Sequence, residues 1–307
     1  MEILLQQIIN GLVQGSVYAL VALGYTMVYG ILGLINFAHG EVVMIGAMLA
    51  LSALTALLGL GVPPALALPL SIGLAMAGCM ALGYGIERIA YRPLRHAPRL
   101  APLITAIGVS IVLQNLAMMI WGREYHSFPQ LIANTPHNFG GAIINDIQVI
   151  IFVMALAIMA GLMLLVHRTK LGRAMRAVAE NQHAAQLMGV DINRVISITF
   201  MLGSALAAVA GLMVSANYGL AHYYMGFLLG LKAFTAAVLG GIGNLRGAML
   251  GGLLLGLIES LGAGYIGDLT GGFMGSNYQD VFAFFVLIAV LVFRPSGLLG
   301  ERIAERA

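Results

Sequence analysis

Apolar runs of about twenty residues recur along this chain, each long enough to carry a helix across a hydrocarbon layer of ~30 Å. They lie near 8–30, 41–59, 65–87, 101–121, 147–166, 196–216, 229–243, 247–264 and 279–293. The run 229–243 is short for a crossing and reads as a short span, a half-helix or a re-entrant piece. Charged residues make up 9% of the sequence and hydrophobic ones 60%, against about 25% charge in soluble domains. The mean hydropathy is +0.96. The expected fold is all-α: a single polytopic membrane domain over 1–307, with eight to nine transmembrane or re-entrant helices.

Twelve of the fifteen basic residues fall into three clusters between or after these runs. The first is Arg88, Arg92, Arg95 and Arg99. Arg168, Lys170, Arg173, Arg176 and Arg194 make the second, and Arg294, Arg302 and Arg306 the third. Lys and Arg in short loops are retained on the cytoplasmic side. Nine crossings that start outside place all three clusters, and the C-terminus, inside. Inside loops therefore account for the net charge of +3, and nucleic acid is not an expected partner. Met1 to Asn10 lacks a basic stretch of signal-peptide type, so the first apolar run is expected to stay as a membrane helix. The single cysteine, Cys79, supports neither a disulfide framework nor a thiolate metal site.

Segment 122–146 falls outside, as a periplasmic loop. Pro129, Pro136 and Gly140–Gly141 predict little regular structure there. A short echo links 33–40 (GLINFAHG) to 241–247 (GIGNLRG). The span count puts both copies on one side, which does not suit an inverted repeat. Gly243, Gly247 and Gly251, then Gly252 and Gly256, have the small-xxx-small spacing of closely packed membrane helices.

The segment 170–189 is too polar to span. Leu171, Met175, Val178, Ala185 and Met188 share one helical face, interrupted by Gln182; Arg173, Arg176, Glu180 and His183 lie opposite. Arg176 and Glu180 have i,i+4 spacing. Gly189 suits a helix C-terminus, and Asp191 or Asn193 can cap the next membrane helix. These features predict a short amphipathic helix at the inner surface, tightly joined to a span on each side. Periodicity alone is equally compatible with arginines that only touch lipid headgroups.

Five stretches carry a resemblance: 24–47 (GYTMVYGILGLINFAHGEVVMIGA), 86–95 (IERIAYRPLR), 171–200 (LGRAMRAVAENQHAAQLMGVDINRVISITF), 232–252 (KAFTAAVLGGIGNLRGAMLGG) and the closing 293–300 (FRPSGLLG). In order and over nearly the whole chain, they resemble the membrane subunit of high-affinity branched-chain amino-acid ABC importers, the LivH type. The resemblance implies that 170–189 is a cytoplasmic coupling helix that docks on an ATPase subunit. Glu180, Ala184 and Gly189 resemble a sparse form of the acidic–alanine–glycine pattern of importer coupling loops, and Arg173 and Arg176 would sit near the ATPase. Implied partners are a second homologous permease chain, two cytoplasmic ATPase subunits, a periplasmic amino-acid-binding protein and membrane lipid. The implied location is a bacterial inner membrane. The chain has no GxxxxGK[ST] phosphate loop, so it is not expected to be an enzyme. ATP and Mg would belong to the partner ATPases, and no cofactor or metal site is expected on this chain.

Polar groups inside apolar spans cost roughly 2.5–3.5 kcal/mol for a central Asp or Lys, and are functional candidates. The densest set is Asn36, His39 and Glu41, where Gly40 permits a local helix break. The alternative reading makes 36–41 an inner turn, with Glu41 favoured by the following helix dipole. Gln114, Asn115 and Glu259 complete the candidate translocation path. For each of them, interhelical hydrogen bonding is the more common role of such a group. Lys232, near the start of a short span, is expected to snorkel to the interface. A secondary transporter coupled to an ion gradient is the main alternative; it would use buried carboxylates, with Glu41 and Glu259 as candidates. A passive channel would work without ATP, and a membrane enzyme would need a catalytic cluster that the sequence does not display.

Overall fold

The computed structural model describes residues 2–95, 97–98, 100–131, 134–271, 278–294 and 296–300. Arg99, Arg302 and Arg306 lie outside the described residues. The helices are α1 (Glu2–Leu32), α2 (His39–Gly59), α3 (Pro64–Ile86), α4 (Leu100–Trp121), α5 (Asp146–Arg168) and α6 (Lys170–Glu180). They continue with α7 (Gln182–Leu187), α8 (Ile192–Tyr218), α9 (Met225–Gly240), α10 (Leu245–Leu269) and α11 (Gln279–Phe293). Seven of them are long and apolar enough to cross a membrane, and α9 and α11 are the shorter apolar helices. The polytopic all-α reading holds; most span boundaries agree within four residues, whereas α1 starts six residues before its expected run and α10 ends five residues after its own.

Successive long helices alternate between two ends of the bundle. At the basic end, Gln182 of α7 donates to the carbonyl of Ile31 in α1. The amides of Leu298 and Leu299 donate there to Leu239 and Gly240 at the close of α9. At the far end, Gln6 of α1 exchanges hydrogen bonds with the Ile143 backbone. The short helix α9 leads from the far end to the basic end. Its 16 residues extend about 24 Å at 1.5 Å per residue, less than the ~30 Å hydrocarbon thickness.

Segment 122–145 is more regular than its composition suggests. β2 (Pro136–Phe139) and β3 (Ala142–Asn145) form an antiparallel hairpin. Gly140 and Gly141 take φ of +60° and +91°, which a two-residue hairpin turn of this hand requires at both central positions. β1 (His126–Ser127) pairs with β4 (Leu220–Ala221), joining this segment to the connection before α9. The pairing of β1 with β4 is long-range and leaves no local signal; the β2–β3 hairpin is local, and Gly140–Gly141 is equally a loop signal and a hairpin-turn signal.

Small residues let the central helices approach closely. A Cβ added to Gly252 would overlap the backbone of Ala19, and one on Gly256 would overlap that of Gly15. On another face of α10, Gly247 and Gly251 abut Gly240 and Ala236 of α9. The glycine spacing thus seats α10 between two neighbours inside one subunit. Helices α1 and α8 are buried along most of their length, whereas α3, α4 and α5 leave many apolar side chains exposed.

Helix α3 continues beyond Ile86 through a π-helical turn (Glu87–Tyr91) and a 3-10 turn (Arg92–Leu94). The wider turn carries Glu87 and Tyr91 into the bundle. The Glu87 side chain is fully buried; it accepts from Arg92 at 3.2 and 2.9 Å, from Ser197 at 2.8 Å, and from Arg95. Arg95 also donates to Asn193 at 2.6 Å. Two arginines of the first basic cluster are therefore tied to a carboxylate and to the start of α8, in addition to marking one face of the protein.

Candidate functional site

Two regions bring the candidate residues together: the polar segment at the basic end, and a set of polar groups in the bundle interior.

The segment 170–189 is two helices rather than one. Asn181 takes φ −156° and ψ 107°, which ends α6, and its side-chain oxygen accepts from the Ala184 amide at 2.9 Å to start α7. The competition of an Asn side chain with the helix backbone is the physical reason for the break. Met175, Val178 and Ala185 are buried as the periodicity predicts. Met188 departs from that face: beyond the break it is 85% exposed. Gln182, the polar interruption of the stripe, reaches Ile31 at the end of α1. Arg173, Glu180 and Ala184 are exposed. Arg176 turns back to the Val166 carbonyl of α5, and its expected pairing with Glu180 is not formed among the described contacts.

Both junctions of this pair are stiff. Thr169 caps α6 by accepting from the Gly172 amide at 3.0 Å. A Cβ on Gly172 would overlap the Leu165 and Val166 carbonyls, so glycine permits the sharp elbow from α5. At the other end Gly189 has φ +83°. The Val190 amide donates to Ala185 and the Gly189 amide to Gln186, the two bonds of a Schellman ending. Asp191 then caps α8 through the Arg194 amide.

In the interior, α2 begins among other helices. His39 lies against Gly24 of α1 and near Gly203 of α8, and Gly40 lies against Gly226 and Gly230 of α9. Counting residues to the basic end gives depths of roughly 12 Å along α1 and 16 Å along α8. Asn36 orients this start: its side-chain oxygen accepts from the Ala38 amide and from Tyr91, each at 3.1 Å. His39 packs edge-on to Tyr25 with ring centroids 4.8 Å apart, and its Nε2 has no hydrogen-bond partner among the described residues. Glu41 is 1% exposed and accepts from Ser110 of α4 at 3.4 Å, leaving its second oxygen without a partner among the described residues. Gln114 is half-buried. Asn115 is on the exposed side of α4, donating to the Ile111 carbonyl.

Glu259 sits in a buried ion cluster. Its Oε2 accepts from Tyr18 at 2.7 Å, from Lys232 at 3.3 Å and from Gln14 at 3.3 Å. Lys232 also donates to the Tyr18 oxygen at 3.3 Å and pairs with Asp280 at 2.6 Å. Snorkelling is overturned: Lys232 is only 7% exposed. Two carboxylates offset the desolvation that would otherwise drive the ammonium to the surface. Tyr18, Gln14 and Asp280 were not singled out from the sequence. The i,i+4 spacing of Gln14 and Tyr18 within an apolar run was the available signal.

Beside this cluster lie two adjoining cavities of about 170 and 270 Å3. The first has apolar walls from Val13, Val17, Val214 and Leu229, and Lys232 and Tyr18 also line it. The second is lined largely by amides, among them Gln7, Asn10, Gln148 and Gln279. Gln14, Asn217 and Tyr218 line both. This arrangement suits a small ligand with an apolar body and charged or hydrogen-bonding ends.

Residues 7–291 match the family described as branched-chain amino acid transport system / permease component. The chain is 49% identical to the high-affinity branched-chain amino acid transport system permease protein BraD of Pseudomonas aeruginosa, covering 98% of this chain and 97% of that protein. It is 44% identical to the corresponding permease protein LivH of Escherichia coli K12, again covering 98% and 97%. The ribose import permease protein RbsC of Escherichia coli K12 is more distant, 26% identical over 94% of this chain and 85% of that protein. The resemblance drawn from the separated motifs thus extends over nearly the whole length.

Proposed function

The chain belongs to the family of permease components of branched-chain amino acid transport systems, and on that premise we propose that it is the transmembrane permease subunit of an ATP-driven importer of branched-chain or related apolar amino acids. It pairs with a second permease chain, two cytoplasmic ATPase subunits and a periplasmic binding protein. The basic end faces the cytoplasm, the 122–145 segment faces the periplasm, and the location is a bacterial inner membrane. ATP and Mg are handled by the ATPases.

The α6–α7 pair carries this reading. It presents Arg173, Glu180 and Ala184 outward, is capped at both helix starts, and is bonded to α1 and α5. A partner that pushes on this pair moves three membrane helices, since α8 begins directly after it. A flexible linker there would absorb the movement. In the interior, Asn36, His39 and Glu41 at the start of α2, together with Gln114 and Glu259, are the polar groups assigned to the translocation path; Asn115 is exposed on α4 and is not among them. Alternating access is the mechanism: ATP-driven closure of the ATPases rocks the helices around the interior.

Co-purification from the native membrane tests the reading. ATPase subunits are expected with the wild-type chain, and are expected to be lost with Glu180→Arg combined with Ala184→Arg while the permease stays folded. Purification of the chain alone, with uptake in vesicles lacking ATP, would reject it in favour of an ion-coupled transporter using Glu41 and Glu259.

A further inference from the structure

We propose that the cavity between α1, α8, α9 and α11 is a subsite for an aliphatic α-amino acid, its carboxylate bound by Lys232 in the place now held by Asp280. The inference deepens the importer reading and rests on it.

Lys232 is the only charged side chain lining the smaller cavity among the described residues. Three groups share its ammonium: Glu259, Tyr18 and Asp280. They are not equally held. The Glu259 side chain is 1% exposed and Tyr18 is 3% exposed, whereas the Asp280 side chain is 36% exposed and stands in the first turn of α11. Glu259 and Tyr18 therefore fix the ammonium from the protein side, and Asp280 is the carboxylate that can leave at least desolvation cost.

An α-carboxylate matches Asp280 in charge and in donor requirement, so the exchange keeps two carboxylates on Lys232. The side-chain oxygens of Gln14, Asn217 and Gln279, which line the cavity, are then available to the ligand ammonium, whose chemistry asks for acceptors only. Val13, Val17, Val214 and Leu229 line the same cavity and give it apolar surface that suits a branched side chain and offers nothing to a polar one. The adjoining amide-lined cavity includes Gln7, in the second turn of α1, and Gln148, in the first turn of α5. It extends the subsite toward the far end of the bundle, from which a periplasmic protein would release its cargo.

The test is direct binding of radiolabelled leucine to the purified, fully assembled transporter without its binding protein, alongside ATP-driven uptake in proteoliposomes. Asp280→Asn removes the internal competitor and is expected to tighten leucine binding about tenfold, on the scale of one charge-assisted contact. Val214→Phe fills the apolar side and is expected to weaken leucine while sparing alanine. Lys232→Met is expected to abolish both, and the two milder variants keep the test decisive if it fails to fold. Unchanged leucine binding in Asp280→Asn and Val214→Phe would overturn the subsite, as would absence of binding by wild type at millimolar leucine. Either result, with wild-type uptake still dependent on ATP, would leave the importer reading standing. ATP-independent wild-type uptake would instead strike the importer reading itself.

Discussion

Gln182, the first residue of α7, donates through Nε2 to the main-chain carbonyl of Ile31 at 2.9 Å. One hydrogen bond thereby joins the polar pair at the basic end to the last turn of α1. Helix α1 also carries Gln14 and Tyr18 of the ion cluster and Gly24, against which His39 packs. It is the mechanical link between the presented surface and the interior.

Gln182→Ala removes that link and leaves the Ile31 carbonyl near its helix end without this partner. A neutral hydrogen bond contributes about 0.5–1.5 kcal/mol, so the bundle should stay folded. The expected result is a severalfold fall in amino acid taken up per ATP hydrolysed, measured in proteoliposomes holding the complete transporter. An unchanged ratio would show that α1 does not receive motion through this contact.

The elbow between α5 and α6 makes a second prediction. Gly172→Ala places a methyl against the Leu165 and Val166 carbonyls, and backbone atoms cannot rotate away. Overpacking of this kind costs roughly 1–3 kcal/mol. The α6–α7 pair should tilt, with weaker retention of the ATPase subunits on size-exclusion chromatography and little change in the far-UV helical signal.

Close packing of α1 on α10 is tested by Gly256→Ala. The added carbon would overlap the Gly15 amide and the Gly11 carbonyl, again at roughly 1–3 kcal/mol. A lower thermal midpoint in detergent is expected. Gly73→Ala is the control, since no atom lies near a Cβ there and the midpoint should hold or rise.

Glu87 accepts from Arg92, Arg95 and Ser197 while fully buried. Glu87→Gln replaces one of the two acceptor oxygens with an NH2 donor facing guanidinium groups. Hydrogen bonds to charged groups contribute about 1.5–3 kcal/mol; the partly exposed arginines, 31% and 13% by side chain, regain water and lower that loss. A reduced thermal midpoint is expected, with faster hydrogen exchange at the start of α8. Ser197→Ala should reproduce a smaller part of the effect.

Local chemistry explains what could be read from the chain. The spans are legible because burial of a membrane helix is written in about twenty consecutive residues. Gly189 marks a helix end, and Asp191 or Asn193 a helix start, for the same reason: caps depend on neighbours within one turn; the structure uses Asp191. Met188 and Asn181 mark the limit of that reasoning. A periodic stripe assumes one continuous helix, and a side-chain cap at Asn181 breaks the register.

The sequence by itself determined the all-α membrane class, the nine apolar segments, the basic end, the amphipathic segment between two spans and the glycine spacing that brings helices close. Tertiary structure alone decided that Lys232 would be buried instead of snorkelling, that Asp280 and Tyr18 would share it with Glu259, and that α2 would start within the bundle. Hydropathy carries no information about the rotation of one helix against another. That rotation is set by which small residues meet, such as Gly252 with Ala19 and Gly40 with Gly230, and it places charges from separate helices within hydrogen-bonding distance.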